Sequence, residues 1–162
     1  MKRIMTPRIT VLLYHRVSDE ARDDLTVGVE QFDRQMELLC KHCIPLSMEQ
    51  VLEYQRVPRS KKPLVAVTFD DGYLDNFDNA FPVLLRHGIP AAFFVSTGII
   101  DTGGRFAHDE GKPYIPVMKW SQLRKMKERG FTVGSHPVNH IDCAKEPEEN
   151  VIRELEKSRD TL

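Results

Sequence analysis

Short apolar runs alternate along the chain with segments in which apolar residues recur every three or four positions. The apolar runs predict buried β-strands at residues 8–15, 64–69, 91–95 and 131–134. The periodic segments predict helices at residues 30–42, 47–54, 75–87, 121–129 and 147–162. Because strands and helices alternate, the pattern predicts a parallel α/β architecture.

Capping residues and glycines mark where several of these helices begin and end. Ser47 and Gln50 have the spacing of a capping box, and Ser121 stands where a further helix is expected to begin. Gly88 is placed to end the helix that precedes it. Residues 98–117 contain glycine and proline and predict a long loop, which in compact domains is often functional. The last helix is predicted to have an apolar face formed by Val151, Ile152 and Leu155.

The composition is that of one soluble globular domain. The chain has 162 residues, of which 41% are hydrophobic and 29% are charged, so disorder is not expected. The formal net charge of -1 gives no reason to expect a nucleic-acid or anionic-membrane partner. The apolar run from Ile9 to Tyr14 is too short for a signal peptide, and no segment is long enough to span a bilayer. Three cysteines, an odd number, fit a reducing compartment, so we expect a cytoplasmic location.

Two pairs of polar residues follow predicted strands. Asp70 and Asp71 come directly after the strand at 64–69, and their like charges require a compensating cation or a proton. His136 and His140 follow the strand at 131–134, and a helical turn begun by Pro137 would place both imidazoles on one face. Because the carboxyl ends of parallel strands meet at one edge of the sheet, we expect the two pairs to lie close together.

One carboxylate and two imidazoles form a typical metal-binding set with open coordination positions. Such a set would hold a divalent ion, whose identity the ligands alone leave open, and the ion would neutralise one aspartate. The second aspartate would then be free to act as a base. Taken alone, an Asp-Asp-Gly sequence also fits simple turn chemistry after a strand, and two histidines alone also fit an ordinary loop.

The same residues resemble the polysaccharide deacetylases of the NodB-homology type, carbohydrate esterase family four. Their first motif stands here as Thr68–Gly72 and their His-x-x-x-His motif as residues 136–140, with further similarity in the segments LLYHRV and FPVLLRHGIPAAFFV. The resemblance implies a (β/α)7 barrel, a general base at Asp70, and metal ligands, usually for zinc, at Asp71, His136 and His140. It also implies hydrolysis of an acetyl group, usually N-acetyl, on a carbohydrate.

The sequence departs from that family in two ways. Pro137 stands where the family usually has Ser or Thr, whose hydroxyl braces the loop. The family's later motifs, including a Leu-x-His whose histidine protonates the leaving amine, do not follow His140. We therefore expect residues 1–162 to form a truncated deacetylase-like domain, the amino half of a barrel, with reduced turnover. An open sheet edge in such a half would favour self-association.

Other residues have weaker functional interpretations. Tyr14 and His15 end the first predicted strand at the same edge and are candidates for substrate contact, although a simple strand end fits them equally well. His108 and Asp109 either line the substrate groove or belong to a solvated loop.

Two other functions compete with the deacetylase interpretation. An inert deacetylase-like domain would bind metal or sugar without turnover. A haloacid-dehalogenase-like phosphatase also uses two aspartates, but its motif separates them by one residue so that both point to the same side. Asp70 and Asp71 are adjacent, and a phosphatase would leave the histidine pair unexplained.

Overall fold

A parallel β-sheet organises the chain. The computed structural model describes residues 8–20, 23–53 and 60–162. Its strands are β1 (Ile9–Tyr14), β2 (Arg16–Val17), β3 (Thr26–Val27), β4 (Ile44–Leu46), β5 (Leu64–Phe69), β6 (Ala91–Ser96) and β7 (Thr132–His136). Its α-helices are α1 (Val29–His42), α2 (Met48–Leu52), α3 (Phe81–His87), α4 (Thr97–Thr102), α5 (Trp120–Glu128) and α6 (Glu148–Thr161).

All strand pairs of the main sheet are parallel, as predicted. The sheet runs in the order β1-β5-β6-β7, with β4 paired to the start of β5, while β2 and β3 form a separate pair. Within the described residues, β1 pairs only with β5 and β7 only with β6, so this sheet is open. Val11 and Leu13 on β1 are 52% and 54% exposed. The parallel α/β prediction is therefore confirmed, and β1 leaves an apolar surface uncovered.

An aromatic core lies between the sheet and its helices. Phe69 on β5 stacks on Phe93 of β6, with ring centroids 4.6 Å apart, and also contacts Phe32 of α1. All six residues of β5 are buried, which explains why this strand is apolar on both faces. Burial of each large apolar side chain contributes about 1.5–3 kcal/mol, so this core fixes the strand from which Asp70 and Asp71 follow.

Several helix predictions are confirmed. Ser47 forms the predicted capping box with Gln50, although the predicted helix end at Tyr54 lies outside the described residues. Gly88 ends α3 in a left-handed conformation, as expected of a glycine cap. In the described part of the chain no helix is both long and apolar enough to cross a membrane.

Other helix predictions are wrong in detail. The helix expected at 75–87 is confirmed as helical throughout, although its first part, Asn76–Ala80, is a π-helical segment that continues directly into α3. The loop expected at 98–117 includes most of α4 and a short 3₁₀ helix, Ala107–Asp109. Helix α5 begins one residue before the predicted cap Ser121, because the Gln122 side chain accepts a hydrogen bond from the Lys119 backbone N–H at 2.8 Å.

Helix α6 turns a different face inward than its sequence predicts. Two residues of the predicted apolar face, Ile152 and Leu155, are 47% and 43% exposed. The helix packs against β7 and α4, with Glu154 partly buried and Ser158 fully buried. Polar residues of α6 therefore lie against the end of β7, where His136 stands.

Candidate metal centre

The two aspartates and two histidines meet at the carboxyl edge of the sheet, as predicted. Asp70 follows β5, and its backbone N–H donates to the carbonyl of Tyr14 at 3.0 Å. The Asp71 carbonyl accepts from the backbone N–H of Ser96 at 3.3 Å. Strands β1 and β6 thus hold the aspartates at the end of the strand between them.

A strained backbone directs Asp71 inward. Asp71 has a φ of 76°, in the left-handed region that non-glycine residues rarely adopt, and Gly72 follows with a φ of 96°. A Cβ at Gly72 would lie 3.0 Å from Cγ1 of Val95, so glycine is required there for space as well as for conformation. Backbone strain of this kind costs about 1–3 kcal/mol and concentrates at functional sites.

The Asp71 carboxylate is buried without a hydrogen-bond donor. Its side chain has no exposed surface, and neither carboxylate oxygen has a hydrogen-bond partner. His140 Nε2 lies 3.0 Å from Asp71 Oδ1 but without the alignment of a hydrogen bond. Buried polar atoms are nearly always paired, so a buried carboxylate without donors indicates that another cationic partner belongs there.

Three side chains have the composition and spacing of a single-ion site. One ligand atom from each of Asp71, His136 and His140 lies within 4.8 Å of the others. Zinc–ligand bonds of about 2.0–2.2 Å separate tetrahedral ligands by roughly 3.5 Å, so the three atoms lie near the spacing that one ion requires. Carboxylate and imidazole are both ordinary ligands of zinc and related divalent ions. The residues therefore fit the expected ion.

The histidines meet through a β-turn, and the predicted helical turn is wrong. The segment Pro137–His140, called here the histidine turn, is closed by a hydrogen bond of 3.0 Å from the His140 N–H to the Pro137 carbonyl. His140 has a φ of 54°, which is not helical. The two imidazoles nevertheless stack, with centroids 4.9 Å apart and planes inclined by 10°. Nδ1 of His136 lies 3.3 Å from the Ser96 hydroxyl, which leaves Nε2 for an ion.

Burial and neighbouring charges shift the pKa values of the four groups in a consistent way. Burial alone would raise the pKa of Asp71, but His140, His15 and His136 outweigh it and lower that pKa below its ordinary value. The nearby Asp71 carboxylate raises the pKa of His140, whereas burial lowers the pKa of His136. Burial also raises the pKa of Asp70, and the Asp71 charge adds to this rise while His15 opposes it. Asp71 is thus suited to ligation and Asp70 to accepting a proton.

The two candidate substrate contacts have different positions. The Tyr14 hydroxyl donates to Gln35 Oε1 at 2.9 Å, and its ring stacks on Phe69, so Tyr14 is partly buried against the core. His15 lies close enough to Asp70 and Asp71 to affect the pKa of both. Substrate contact by Tyr14 and His15 stays a prediction, with His15 placed beside the aspartates and Tyr14 packed against the core.

A hydrogen-bonded group beside the site was not identified from the sequence. The Tyr73 hydroxyl donates to Asp109 Oδ2 at 2.7 Å and lies 2.8 Å from Nε2 of His108. His108 Nε2 is 3.9 Å from Asp71 Oδ2, and Asp109 is 3% exposed. Because the hydroxyl proton points to Asp109, the contact with His108 requires His108 to donate from Nε2. His108 and Asp109 therefore lie beside the site, which favours the interpretation that they line the groove over that of a solvated loop.

The family comparison agrees with this geometry. A family profile described as Polysaccharide deacetylase matches residues 58–162, which contain both aspartates and both histidines. The chain belongs to the polysaccharide deacetylase family. This confirms the resemblance found in the sequence.

Deacetylases are also found among the curated relatives. Bacillus subtilis YxkH is 27% identical over 139 residues, which are 83% of this chain and 44% of YxkH. The poly-β-1,6-N-acetyl-D-glucosamine N-deacetylase of Staphylococcus aureus N315 is 24% identical over 160 residues, which are 93% of this chain and 53% of that enzyme. The chain spans about half the length of these curated relatives.

Solved deacetylase structures share the fold. The Streptococcus pyogenes deacetylase PplD, solved in complex with acetate, superposes with a TM-score of 0.81 and 26% identity over 97% of this chain and 69% of PplD. IcaB from Ammonifex degensii superposes with a TM-score of 0.70 and 26% identity over 95% of this chain and 70% of IcaB. The deacetylase fold expected from the sequence motifs is therefore present in this family member.

Proposed function

We propose that this chain carries the metal site of a deacetylase that hydrolyses N-acetyl groups on a carbohydrate. The observation that carries the proposal is the fully buried Asp71 carboxylate, which lies beside His136 and His140 with His140 Nε2 only 3.0 Å from Oδ1 and has no well-aligned hydrogen-bond donor among the described residues. A buried carboxylate without a donor is costly for a structural turn, whereas a metal ligand requires free oxygen lone pairs.

Asp71, His136 and His140 would hold the ion, and Zn²⁺ is the ion we expect. A bound divalent ion would polarise the acetyl carbonyl and make water a stronger nucleophile near neutral pH. The pKa of His136 is lowered by burial, which favours the neutral imidazole that metal binding needs. The Ser96 hydroxyl beside Nδ1 of His136 would fix that ring with Nε2 directed to the ion.

Asp70 is proposed as the general base. It is adjacent to Asp71 but only partly buried, so it can contact water that the buried ligand cannot reach. Its raised pKa makes it a better proton acceptor than an ordinary aspartate. Asp70 would take one proton from water as the water oxygen bonds to the acetyl carbon. The C–N bond would then break as the protonated Asp70 returns that proton to the leaving nitrogen, which releases a free amine and acetic acid, ionised to acetate at neutral pH.

The substrate class is proposed from the relatives. The S. aureus relative is named as an N-deacetylase of poly-β-1,6-N-acetyl-D-glucosamine, and PplD was solved with acetate, the product of deacetylation. We therefore expect an N-acetylated glucosamine polymer or oligosaccharide as substrate and no nucleic-acid partner, in line with the net charge of -1. His15 is proposed to contact this substrate because it lies beside Asp70.

Release of acetate tests the proposal. The chain would be incubated with N-acetylated chito-oligosaccharides and with poly-β-1,6-N-acetylglucosamine, first with a chelator and then with added Zn²⁺. We expect acetate only with the metal, and a rate reduced by about 10²–10⁴-fold in Asp70→Asn, as is typical when a general base is lost. Asp160→Asn, an exposed change on α6, is the matched control and should keep the parent rate.

Three outcomes separate this function from its competitors. Metal binding without any acetate release would indicate that the chain is an inert metal- or sugar-binding domain. Phosphate release from a phosphate ester without acetate release would favour a phosphatase. Acetate release that survives the chelator would contradict the proposed metal dependence.

Self-association through the open edge of β1 is a further part of the proposal. Among the described residues no strand pairs with the outer edge of β1, and the exposed Val11 and Leu13 on this strand provide apolar surface for a second copy. Val11→Lys should shift a concentration-dependent oligomer toward monomer in sedimentation velocity. A parent chain that is monomeric at all concentrations would contradict this part.

A further inference from the structure

A carboxylate of α6 holds the histidine turn by two hydrogen bonds. The backbone N–H of Asn139 donates to Glu154 Oε2 at 2.7 Å, and Nδ2 of Asn139 donates to Glu154 Oε1 at 2.6 Å. Both oxygens of Glu154 are thus used by the residue that precedes His140. Hydrogen bonds to a carboxylate are shorter and stronger than neutral ones, so this contact is a directional tie between α6 and the turn.

The histidine turn needs such support for two reasons. His140 has a φ of 54°, a conformation that is unfavourable for a residue with a Cβ unless its surroundings enforce it. Pro137 has neither a side-chain hydroxyl nor a backbone N–H, so it cannot donate a hydrogen bond from within the turn. Apart from the hydrogen bond that closes the turn, support has to come from residues outside it.

Two helices supply that support: α4, which precedes the turn in the sequence, and α6, which follows it. The Gly98 N–H of α4 donates to the Val138 carbonyl at 3.0 Å, and a Cβ at Gly98 would come within 2.7 Å of Val138 Cγ1. Glu154 of α6 holds the next residue, Asn139. The two central residues of the turn are thus each fixed by a different helix, which explains how His140 keeps its left-handed backbone.

We propose that Glu154 is a positioning residue, which holds His140 in the geometry that metal binding requires by fixing Asn139. The inference rests on the proposed metal site. Glu154 does not belong to the potential ligand group found among the described residues, which comprises Asp71, His136 and His140, so it acts through Asn139 and not by ligation. The role also explains why α6 turns a charged residue inward and leaves Ile152 and Leu155 exposed.

Metal affinity tests this role directly. Zn²⁺ affinity of the full chain would be measured by competition with a chromophoric chelator. Glu154→Ala should bind Zn²⁺ about 10–100-fold more weakly than the parent, as is typical when a group that orients a metal ligand is removed. Glu154→Gln keeps an acceptor for one of the two hydrogen bonds, so its Zn²⁺ affinity should lie between that of the parent and that of Glu154→Ala. Glu156→Ala, an exposed change on the same helix, is the matched control and should keep the parent affinity.

A double-mutant cycle and a metal-free measurement separate positioning from simple stabilisation. Asn139→Ala should weaken Zn²⁺ binding in the parent and have little further effect in Glu154→Ala, because both changes break the same contact. In the metal-free chain, the Asn139 amide should lose its protection from hydrogen exchange in Glu154→Ala. Far-UV circular dichroism should remain that of the parent.

The outcomes distinguish failure of this inference from failure of the proposed function. A parent chain that binds Zn²⁺, with Glu154→Ala binding it equally tightly, would overturn the positioning role alone. A parent chain that does not bind Zn²⁺ would overturn the proposed metal site and this role with it. An Asn139 amide that exchanges at the parent rate in the metal-free variant would also overturn the inference, because the contact would then not hold the turn in solution.

Discussion

Zn²⁺ should stabilise this chain through Asp71, and removal of that carboxylate should abolish the effect. The Asp71 side chain is fully buried, and in the metal-free state its carboxylate is compensated by His140, whose Nε2 lies 3.0 Å from Oδ1 without the alignment of a hydrogen bond. A divalent ion bound to the carboxylate would carry more charge than one imidazolium and would therefore stabilise it further. An ion that binds only the folded state at 100 times its dissociation constant adds about 2.7 kcal/mol to the free energy of unfolding. For a chain of this size each kcal/mol raises Tm by about 2–4 °C, so we expect a shift of about 5–11 °C.

The two adjacent aspartates provide a matched pair for this test. Thermal unfolding would be followed by circular dichroism in a chelator and then with excess Zn²⁺. Asp71→Asn should lose the Zn²⁺-dependent shift, because the amide is a poor ligand and carries no charge. Asp70→Asn should keep it, because Asp70 is not a proposed ligand. An equal shift in both variants, or its loss in Asp70→Asn alone, would refute the assignment of roles to the two residues.

Three further predictions concern the surroundings of the site. Tyr73→Phe removes the donor to Oδ2 of the buried Asp109, whose Oδ1 keeps its bond from Lys112, and should cost about 1–3 kcal/mol in urea unfolding. An unchanged unfolding midpoint would contradict this prediction. Gly98→Ala would place a Cβ within 2.7 Å of a side chain in the histidine turn, so it should cost about 1–3 kcal/mol and weaken Zn²⁺ binding. In the metal-free chain, the lowered pKa of Asp71 contributes stability that is lost as pH falls below about 3.9, and the raised pKa of His140 contributes stability that is lost as pH rises above about 6.5. The contribution of this pair to Tm should therefore be greatest between those limits and absent in Asp71→Asn.

Local sequence patterns were sufficient for the strands that carry the site. The predicted strand at 64–69 coincides with β5, and Asp70 and His136 lie at the predicted edge of the sheet. These elements are predictable because a short, continuous apolar run bounded by turn residues is typical of a strand buried on both faces of a parallel sheet. The spacing of His136 and His140 correctly predicted that their rings would meet.

The backbone that joins the two histidines could not be predicted in the same way. A spacing of four residues fits a helical turn, but the structure reaches the same ring contact through a β-turn with His140 in the left-handed region. Non-glycine residues enter that region only when distant parts of the chain enforce it. Here the enforcing residues are Gly98 and Glu154, and nothing in the local sequence connects them to the turn.

The hydrogen-bonded group of Tyr73, His108 and Asp109 could not be predicted from the local sequence either. Tyr73 and Asp109 are 36 residues apart, and a charged residue in a predicted loop ordinarily faces water. The length of the loop at 98–117 was the signal available in the sequence, since long loops in compact domains are often functional. Which of its side chains turn inward depends on ring contacts such as those of Phe106 with Tyr73 and His108, which sequence periodicity does not report.

Burial explains how two adjacent aspartates can have different roles. Consecutive residues of an extended strand point to opposite sides, and the left-handed backbone of Asp71 changes its direction again after the strand has ended. Asp71 is fully buried beside the histidines, while Asp70 remains partly exposed at the carboxyl edge of the sheet. A phosphatase that uses two aspartates on one phosphate would need both at the same surface, which this arrangement does not provide. One sheltered carboxylate beside one accessible carboxylate instead suits the ligand and base roles that we propose for Asp71 and Asp70. The division of burial between the two residues is therefore a physical argument for the proposed deacetylation over a phosphatase.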